Sequence, residues 1–342
     1  MMALGEYHSN FADARDAGEG LFDEAALRSP FDRLDWFEAL HRDCMASATP
    51  LIGIYREGKV ALRLVLAVNS QHISAMANWY SFLWGPQWAG NPSAAEKGRL
   101  ALAVARDLRS RGAMLTLAPI ADAADAKLLE DALRTAGWDT ERTETGRNHW
   151  LDTQGRSFDD WWAERPGALR STVKRKSAKR AVAIAIHRDF SDALWDDYEA
   201  VYRASWKPAE GQPHFLRARA RAEADKGTLR LGIARIDGKP VAAQYWSSDG
   251  SIAYIHKLAH VSEAESLSPG TLLTHALFRM AFDEDKVARI DFGTGDDGYK
   301  RDWMEASASL DTVEAWDPRQ PSAWPTLGKR KAKRLAARLI ER

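Results

Sequence analysis

Two widely separated stretches of this chain follow the same plan. LIGIYREGKV at 51–60 and RLGIARIDGKPV at 230–241 each run from an apolar strand through a Gly-Lys turn into a second apolar strand, the mark of a β-hairpin. A helical stretch precedes each, 31–45 in the first half and 193–205 in the second, where Leu194, Tyr198, Val201 and Tyr202 fall on one face. After each hairpin come a further strand, a helix and another strand: helix 99–111 with strand 114–119, then helix 271–282 with strand 289–292. A 3.6-period segment between two short apolar runs is a βαβ crossover, which sets two strands parallel inside a mixed sheet. Five elements in matching order read as a duplication, so the chain is expected to be α/β, with two mixed-sheet folds in tandem.

A length of 342 residues accommodates two compact units. The expected division is an N-terminal segment 1–24, a first fold 25–152, a second fold 153–320 and a basic tail 321–342. The line between the folds is drawn just ahead of Ser157 and Asp160, whose S-x-x-D spacing opens a helix. The 48 basic and 48 acidic residues balance, which leaves no global field to attract nucleic acid or an anionic membrane. The single cysteine, Cys44, excludes an intrachain disulfide. No basic or apolar leader opens the sequence and no apolar run reaches the roughly 18 residues of a membrane span, so the expected location is cytoplasmic. No H-x-x-H, C-x-x-C or H-E-x-x-H spacing occurs, and no metal is expected. The 14 tryptophans are read as aromatic core rather than a ligand platform.

The stretch 254–303 carries the chemistry. Ser268-Pro269-Gly270-Thr271 opens a helix, and such a turn points unpaired amides outward at the positive end of a helix dipole. It reads either as an anion cradle or as a plain helix start with Pro at the first position. One strand later Asp291, Gly293, Gly295, Asp296, Asp297, Tyr299 and Lys300 gather in a tight loop at a strand end. His256 and Lys257 lie on the strand leading to the turn; His256 is either a base, suited to taking a proton near neutral pH, or a structural histidine. His260 and His275 rank below it. Two basic runs stand apart. Residues 170–180 hold Arg170, Lys174, Arg175, Lys176, Lys179 and Arg180 with no acid, and 328–342 holds seven basic residues and one acid. They read as solvated faces or as polyanion contacts.

Ser-Pro-Gly-Thr-Leu-Leu at 268–273, followed by D-F-G-x-G-D-x-x-Y-K-x-x-W at 291–303, resembles the CelD-like branch of the GNAT acyltransferases, relatives of the tandem-fold FemAB aminoacyltransferases. The segment NWYSFLWGP at 78–86 is similar to the same branch, and the basic run behind Trp161 and Trp162 resembles FemAB proteins. The resemblance spans about residues 31–316 and implies tandem GNAT folds, with acyl-CoA in the V-shaped gap between two parallel strands of the second. Donor binding would fall to Leu258, Ser268, Pro269, Gly270, Thr271, Leu272 and Leu273, and catalysis to His256, Asp296, Tyr299 and Lys300, with Tyr299 protonating the leaving thiolate. Of the family's Q/R-x-x-G-x-G/A loop, Gly270 alone is clear. The first fold, with Gly90-Asn91-Pro92-Ser93 at the equivalent point, is expected to have lost its donor site. The implied activity is transfer of an acyl group from acyl-CoA to an amine, on an amino sugar or a cell-envelope or exopolysaccharide precursor. Two alternatives stay open: a FemAB-like enzyme with aminoacyl-tRNA as donor and tRNA as partner, and a non-catalytic GNAT-like module of polysaccharide production.

Overall fold

The computed structural model describes residues 4–23, 27, 29–295 and 297–340, without the side chains of Leu4 and 333–340. In chain order the elements begin with β1 (Leu4–His8), α1 (Phe11–Gly18), α2 (Leu34–Cys44), β2 (Thr49–Glu57), β3 (Val60–Asn69), β4 (His72–Ala75) and β5 (Gln87–Ala89). Then come α3 (Ala94–Leu108), β6 (Met114–Ile120), α4 (Ala123–Thr135), β7 (Asp139–Asp152), α5 (Phe158–Ala163), α6 (Gly167–Ser177), β8 (Ala183–His187), α7 (Asp192–Arg203) and α8 (Pro213–Asp225). The chain finishes with β9 (Leu229–Ile236), β10 (Lys239–Asp249), β11 (Ile252–His260), α9 (Pro269–Asp283), β12 (Arg289–Thr294), α10 (Lys300–Trp303), β13 (Ala306–Trp316) and α11 (Trp324–Ile340). Among the described residues no helix is long and apolar enough to cross a membrane.

Two compact units emerge: Met1–Gly146 with Ser309–Arg342, and Arg147–Ala308. The sequence reading places its lines at 152/153 and 320/321. The difference lies in β7 and β13, long strands whose two ends serve different units.

In the first unit the strand order is β1-β2-β3-β4-β6-β13, with β5 beside β3. All neighbours are antiparallel except β4 and β6, which α3 connects. The segment 309–332 returns here: Trp316, Ala323 and Leu327 pack with Met114, and Arg330 lies 4.1 Å over the Trp316 ring.

The second unit repeats the plan as β8-β9-β10-β11-β12-β7, with only β11 and β12 parallel and α9 between them. The hairpin β9–β10 turns at Asp237 and Gly238, both at positive φ (49° and 80°), the conformation of a type I′ turn and the reason for the Asp-Gly pair. Helix α7 buries Trp195, Tyr198, Val201 and Tyr202 at helical spacing. The core is strongly aromatic. Phe158, Trp161, Trp246, Phe278, Phe282 and Trp303 are all buried within it, with Trp161 stacked on Phe278 at 5.1 Å. Trp161, Trp246 and Trp303 are core.

Candidate functional site

The site begins where two parallel strands part. Strands β11 and β12 pair only at Ile252↔Arg289, Ala253↔Ile290 and Tyr254↔Asp291. Beyond Tyr254, β11 stays with β10 alone, through Lys257↔Tyr245, Leu258↔Gln244, Ala259↔Ala243 and His260↔Ala242. Two irregularities separate the strands. The β10–β11 register passes from Ile255↔Trp246 to Lys257↔Tyr245, so His256 is the extra residue of a bulge, which bends the strand that carries it. On the other side, the β12–β7 register slips between Asp291 and Thr294, around Gly293 at φ 66°. A wedge opens between them, walled on one side by the β11 edge from Ile255 to His260.

At the far end of that wall, a 3₁₀ turn (Ser262–Leu267) leads into α9. Ser268 is left-handed (φ 53°, ψ 45°), no side chain caps the helix, and its first turn holds no acid. Pro269 has no N–H to offer, and the amides of Gly270 and Thr271 have no acceptor within the helix. Gln244 fixes this turn from below. Its Nε2 donates to Thr274 Oγ1 at 2.6 Å and to the Gly270 carbonyl at 3.3 Å, and its Oε1 accepts from Trp246 Nε1 at 2.9 Å. A Cβ at position 270 would come within 3.1 Å of His260 Nδ1, a contact to which the imidazole would have to yield. Leu272 and Leu273 are buried with Pro269, and Leu258 packs against the core; their side chains serve packing.

On the opposite wall, Asp291 is buried, accepting from the Gly293 amide at 2.8 Å and from Asn148 Nδ2 at 3.1 Å. Burial pushes its carboxyl pKa up, against those two hydrogen bonds. Lys300 is only 4% exposed and donates to the carbonyls of Thr294 at 2.6 Å and Phe292 at 3.3 Å, tying α10 to the end of β12. Tyr299 is 40% exposed, lies edge-on to Phe292 at 5.8 Å, and has its hydroxyl pKa raised by burial and then by Asp297. Asp296 lies outside the described residues. His256 is half-buried, its Nε2 2.7 Å from Ser247 Oγ and its ring stacked on Tyr245 at 4.7 Å. Burial, then the charges of Arg219 and Lys257, push its pKa down to about 3. His275 stands apart from the wedge, packed on Trp162 and Phe158.

Sequence reasoning passed over the connection 204–212 between α7 and α8. Its Glu210 lies 3.1 Å from Lys257 Nζ and is hydrogen-bonded to Tyr202, whose pKa rises to about 12 through burial and then Glu210. Lys207 is half-buried, its pKa lowered by burial and then by Lys257. Trp206, 54% exposed, rests against His260 at 4.4 Å. Of these, Tyr202, Lys207 and Glu210 line a cavity of about 410 Å³. The segment SWKPAEGQ has no motif spacing, and its one signal is a tryptophan in a polar loop.

The first unit closes the corresponding opening. Strands β4 and β6 pair from His72↔Met114 to Ser74↔Thr116, and Trp84 then enters, fully buried, its amide on the Pro119 carbonyl at 2.7 Å and its Nε1 on the Val65 carbonyl at 2.9 Å. Helix α3 is sealed by a capping box: the Glu96 amide donates to Ser93 Oγ, and the Glu96 carboxylate accepts from the Ser93 amide at 2.8 Å.

Residues 165–301 match the family model described as an acetyltransferase (GNAT) domain. That stretch of the chain is similar to GNAT domains. No curated protein matches the chain in sequence. Among solved structures, FemX superposes with a TM-score of 0.60 at 10% identity, covering 92% of this chain and 97% of that one. A tandem GNAT protein from the clavulanic acid biosynthesis pathway, solved without AcCoA, gives 0.52 at 14% identity, covering 91% and 98%. The C-terminal domain of a putative lysylphosphatidylglycerol synthetase from Agrobacterium fabrum gives 0.53 at 12%, covering 81% and 86%. At these identities the likeness is one of fold; the wedge and α9 lie within the matched residues 165–301.

Proposed function

We propose that this chain is an N-acyltransferase that moves an acyl group from acyl-CoA to an amine, with the donor in the β11–β12 wedge. One observation carries the reading: inside the GNAT-like stretch the parallel strands part at Tyr254/Asp291 and the exposed edge of β11 leads to the uncapped N-terminus of α9. The β11 edge would hold the amides of a pantetheine arm, and the Gly270 and Thr271 amides its pyrophosphate. The first unit, with Trp84 in its opening and Glu96 on its helix, would be a copy without a donor site.

In the transfer, an N–C bond forms, the C–S bond breaks, and the acceptor ammonium releases one proton to solvent. Tyr299 stays protonated and would donate to the departing sulfur, regaining its proton from the attacking nitrogen. A pKa near 3 makes the His256 imidazole a weak base, so its role is to hold the bulge in place. Lys300, spent on two carbonyls, shapes the loop rather than binding ligand.

Calorimetric titration with acetyl-CoA tests the donor site. Thr271→Glu places in the first turn of α9 the acid that α3 has at Glu96. Affinity should fall about tenfold or more while thermal stability holds. Wild-type protein with no affinity for acetyl-CoA, or a variant with undiminished affinity, rejects the assignment. A second reading, aminoacyl-tRNA as donor, draws on α6, whose exposed Lys174 and Arg175 accompany a Lys176 Nζ bonded to the Ser266 carbonyl at 2.5 Å. Salt-sensitive tRNA binding that is lost on neutralising Lys174 and Arg175 would select it.

A further inference from the structure

The cavity between α7 and α8 has a composition that specifies more than an amine. We infer that it is the acceptor pocket and that it takes a small apolar or aromatic amino acid: carboxylate to Lys207, ammonium to Glu210, side chain against Trp195, Tyr198 and Leu216. The inference rests on the acyl-transfer reading for its chemistry, but on separate residues for its geometry.

Size comes first. About 410 Å³ falls in the range of small-molecule sites, which suits a free metabolite rather than a polymer surface. The walls are next. Trp195, Tyr198 and Leu216 line the space, and the polar atoms of Trp195 and Tyr202 are already engaged. Trp195 Nε1 donates to Glu199 Oε1 at 2.8 Å, and Tyr202 is bonded to Glu210. A hexosamine would bury several hydroxyls against such walls, each unmatched one costing about 1–3 kcal/mol. An aryl or branched alkyl group loses nothing there.

Charge supplies the remaining specificity. Glu199 is held by Arg217 at 3.5 Å. Lys207 lines the cavity and makes no ion pair among the described residues. Burial and the nearby Lys257 both act against its charge, and a ligand carboxylate would relieve that at a site already partly desolvated. Glu210 presents its carboxylate at the same cavity while touching Lys257 at 3.1 Å. Lys257 stands on β11 three residues past the point where the strand leaves β12. An ammonium on Glu210 is therefore beside the donor wedge. During transfer the Glu210 carboxylate accepts the ammonium proton and releases it to solvent, leaving the neutral nitrogen to attack the thioester carbon.

A ligand series on the intact wild-type chain tests this by calorimetry: L-phenylalanine, phenethylamine without the carboxylate, 3-phenylpropionate without the amine, and glucosamine. Phenylalanine should bind, and loss of either charged group should weaken binding about tenfold or more. Lys207→Met should remove the advantage of phenylalanine over phenethylamine and leave phenethylamine unchanged, with a circular-dichroism melt to verify the fold. Glucosamine binding more tightly than phenylalanine, or no phenylalanine binding at millimolar concentration, overturns the inference. Acetyl-CoA titrated in parallel separates the two claims. If it binds and phenylalanine does not, the pocket assignment fails alone; if phenylalanine binds and acetyl-CoA does not, the acyl-transfer reading fails and the cavity keeps its amino-acid specificity without the acceptor role.

Discussion

At His256, which the sequence reads either as a base or as a structural histidine, the surroundings disfavour the charged imidazole. The imidazole is the extra residue of the β11 bulge, bonded to Ser247 and stacked on Tyr245. Burial and two nearby cations hold its pKa at about 3, whereas an unfolded histidine titrates near ~6.5. Between those values the unfolded chain binds a proton that the folded chain refuses. Stability is therefore fully present above about 6.5 and falls as the pH drops toward 3, by at most about 1.4 kcal/mol per pH unit. His256→Asn should flatten that part of the acid limb in urea titrations run at a series of pH values. Parallel limbs for variant and wild type would show that the imidazole is not held neutral. The string YIHKL shows only one of the two cations, Lys257; the burial and the second cation, Arg219 of α8, come from the fold. The neighbouring Gly270 was legible, since a Ser-Pro-Gly-Thr turn states its own geometry. Lys300 was not: its ammonium is absorbed by the carbonyls of Thr294 and Phe292, a consequence of how the loop folds back.

The element that separates the two folds is the opening between parallel strands. Hairpins and βαβ crossovers were readable from periodicity, and α9 and β12 begin within two residues of where the apolar pattern places them. What fills each opening was not readable. Trp84 sits in a segment that the sequence likens to the family without assigning it a place, yet it is fully buried and hydrogen-bonded to Pro119 of β6 and Val65 of β3. Trp84→Ala should cost about 3–5 kcal/mol by urea unfolding, the range for truncating a buried aromatic. It should leave acetyl-CoA affinity and stoichiometry unchanged, because Glu96 still occupies the N-terminus of α3. A second acetyl-CoA bound per chain would show that the tryptophan alone suppresses a donor site in the first unit.

At the scale of the chain, the two units differ in how they are assembled from sequence. Arg147–Ala308 is contiguous, whereas Met1–Gly146 needs Ser309–Arg342 to be complete. The returning segment is integral: residues of β13 from Asp311 to Trp316 pair with β6, and Trp316, Ala323 and Leu327 cover Met114. Asp317, fully buried, meets Arg109 at 2.6 Å. Burial raises its carboxyl pKa, and the hydrogen bonds from Arg109 and Arg319 overcome that and bring it below the usual range. Removing one partner of a buried pair costs about 3–5 kcal/mol, a large share of a total stability of roughly 5–15 kcal/mol, before the lost strand is counted. Residues 1–146 expressed alone should therefore fail to show a cooperative thermal transition and should gain one when 309–342 is fused through a flexible linker. Residues 147–308 expressed alone should unfold cooperatively and bind acetyl-CoA, since every residue placed at the wedge lies within them. Cooperative unfolding of 1–146 at the full chain's denaturant midpoint would mean that the returning strand is an accessory, and that the linear division drawn from the sequence is the better one.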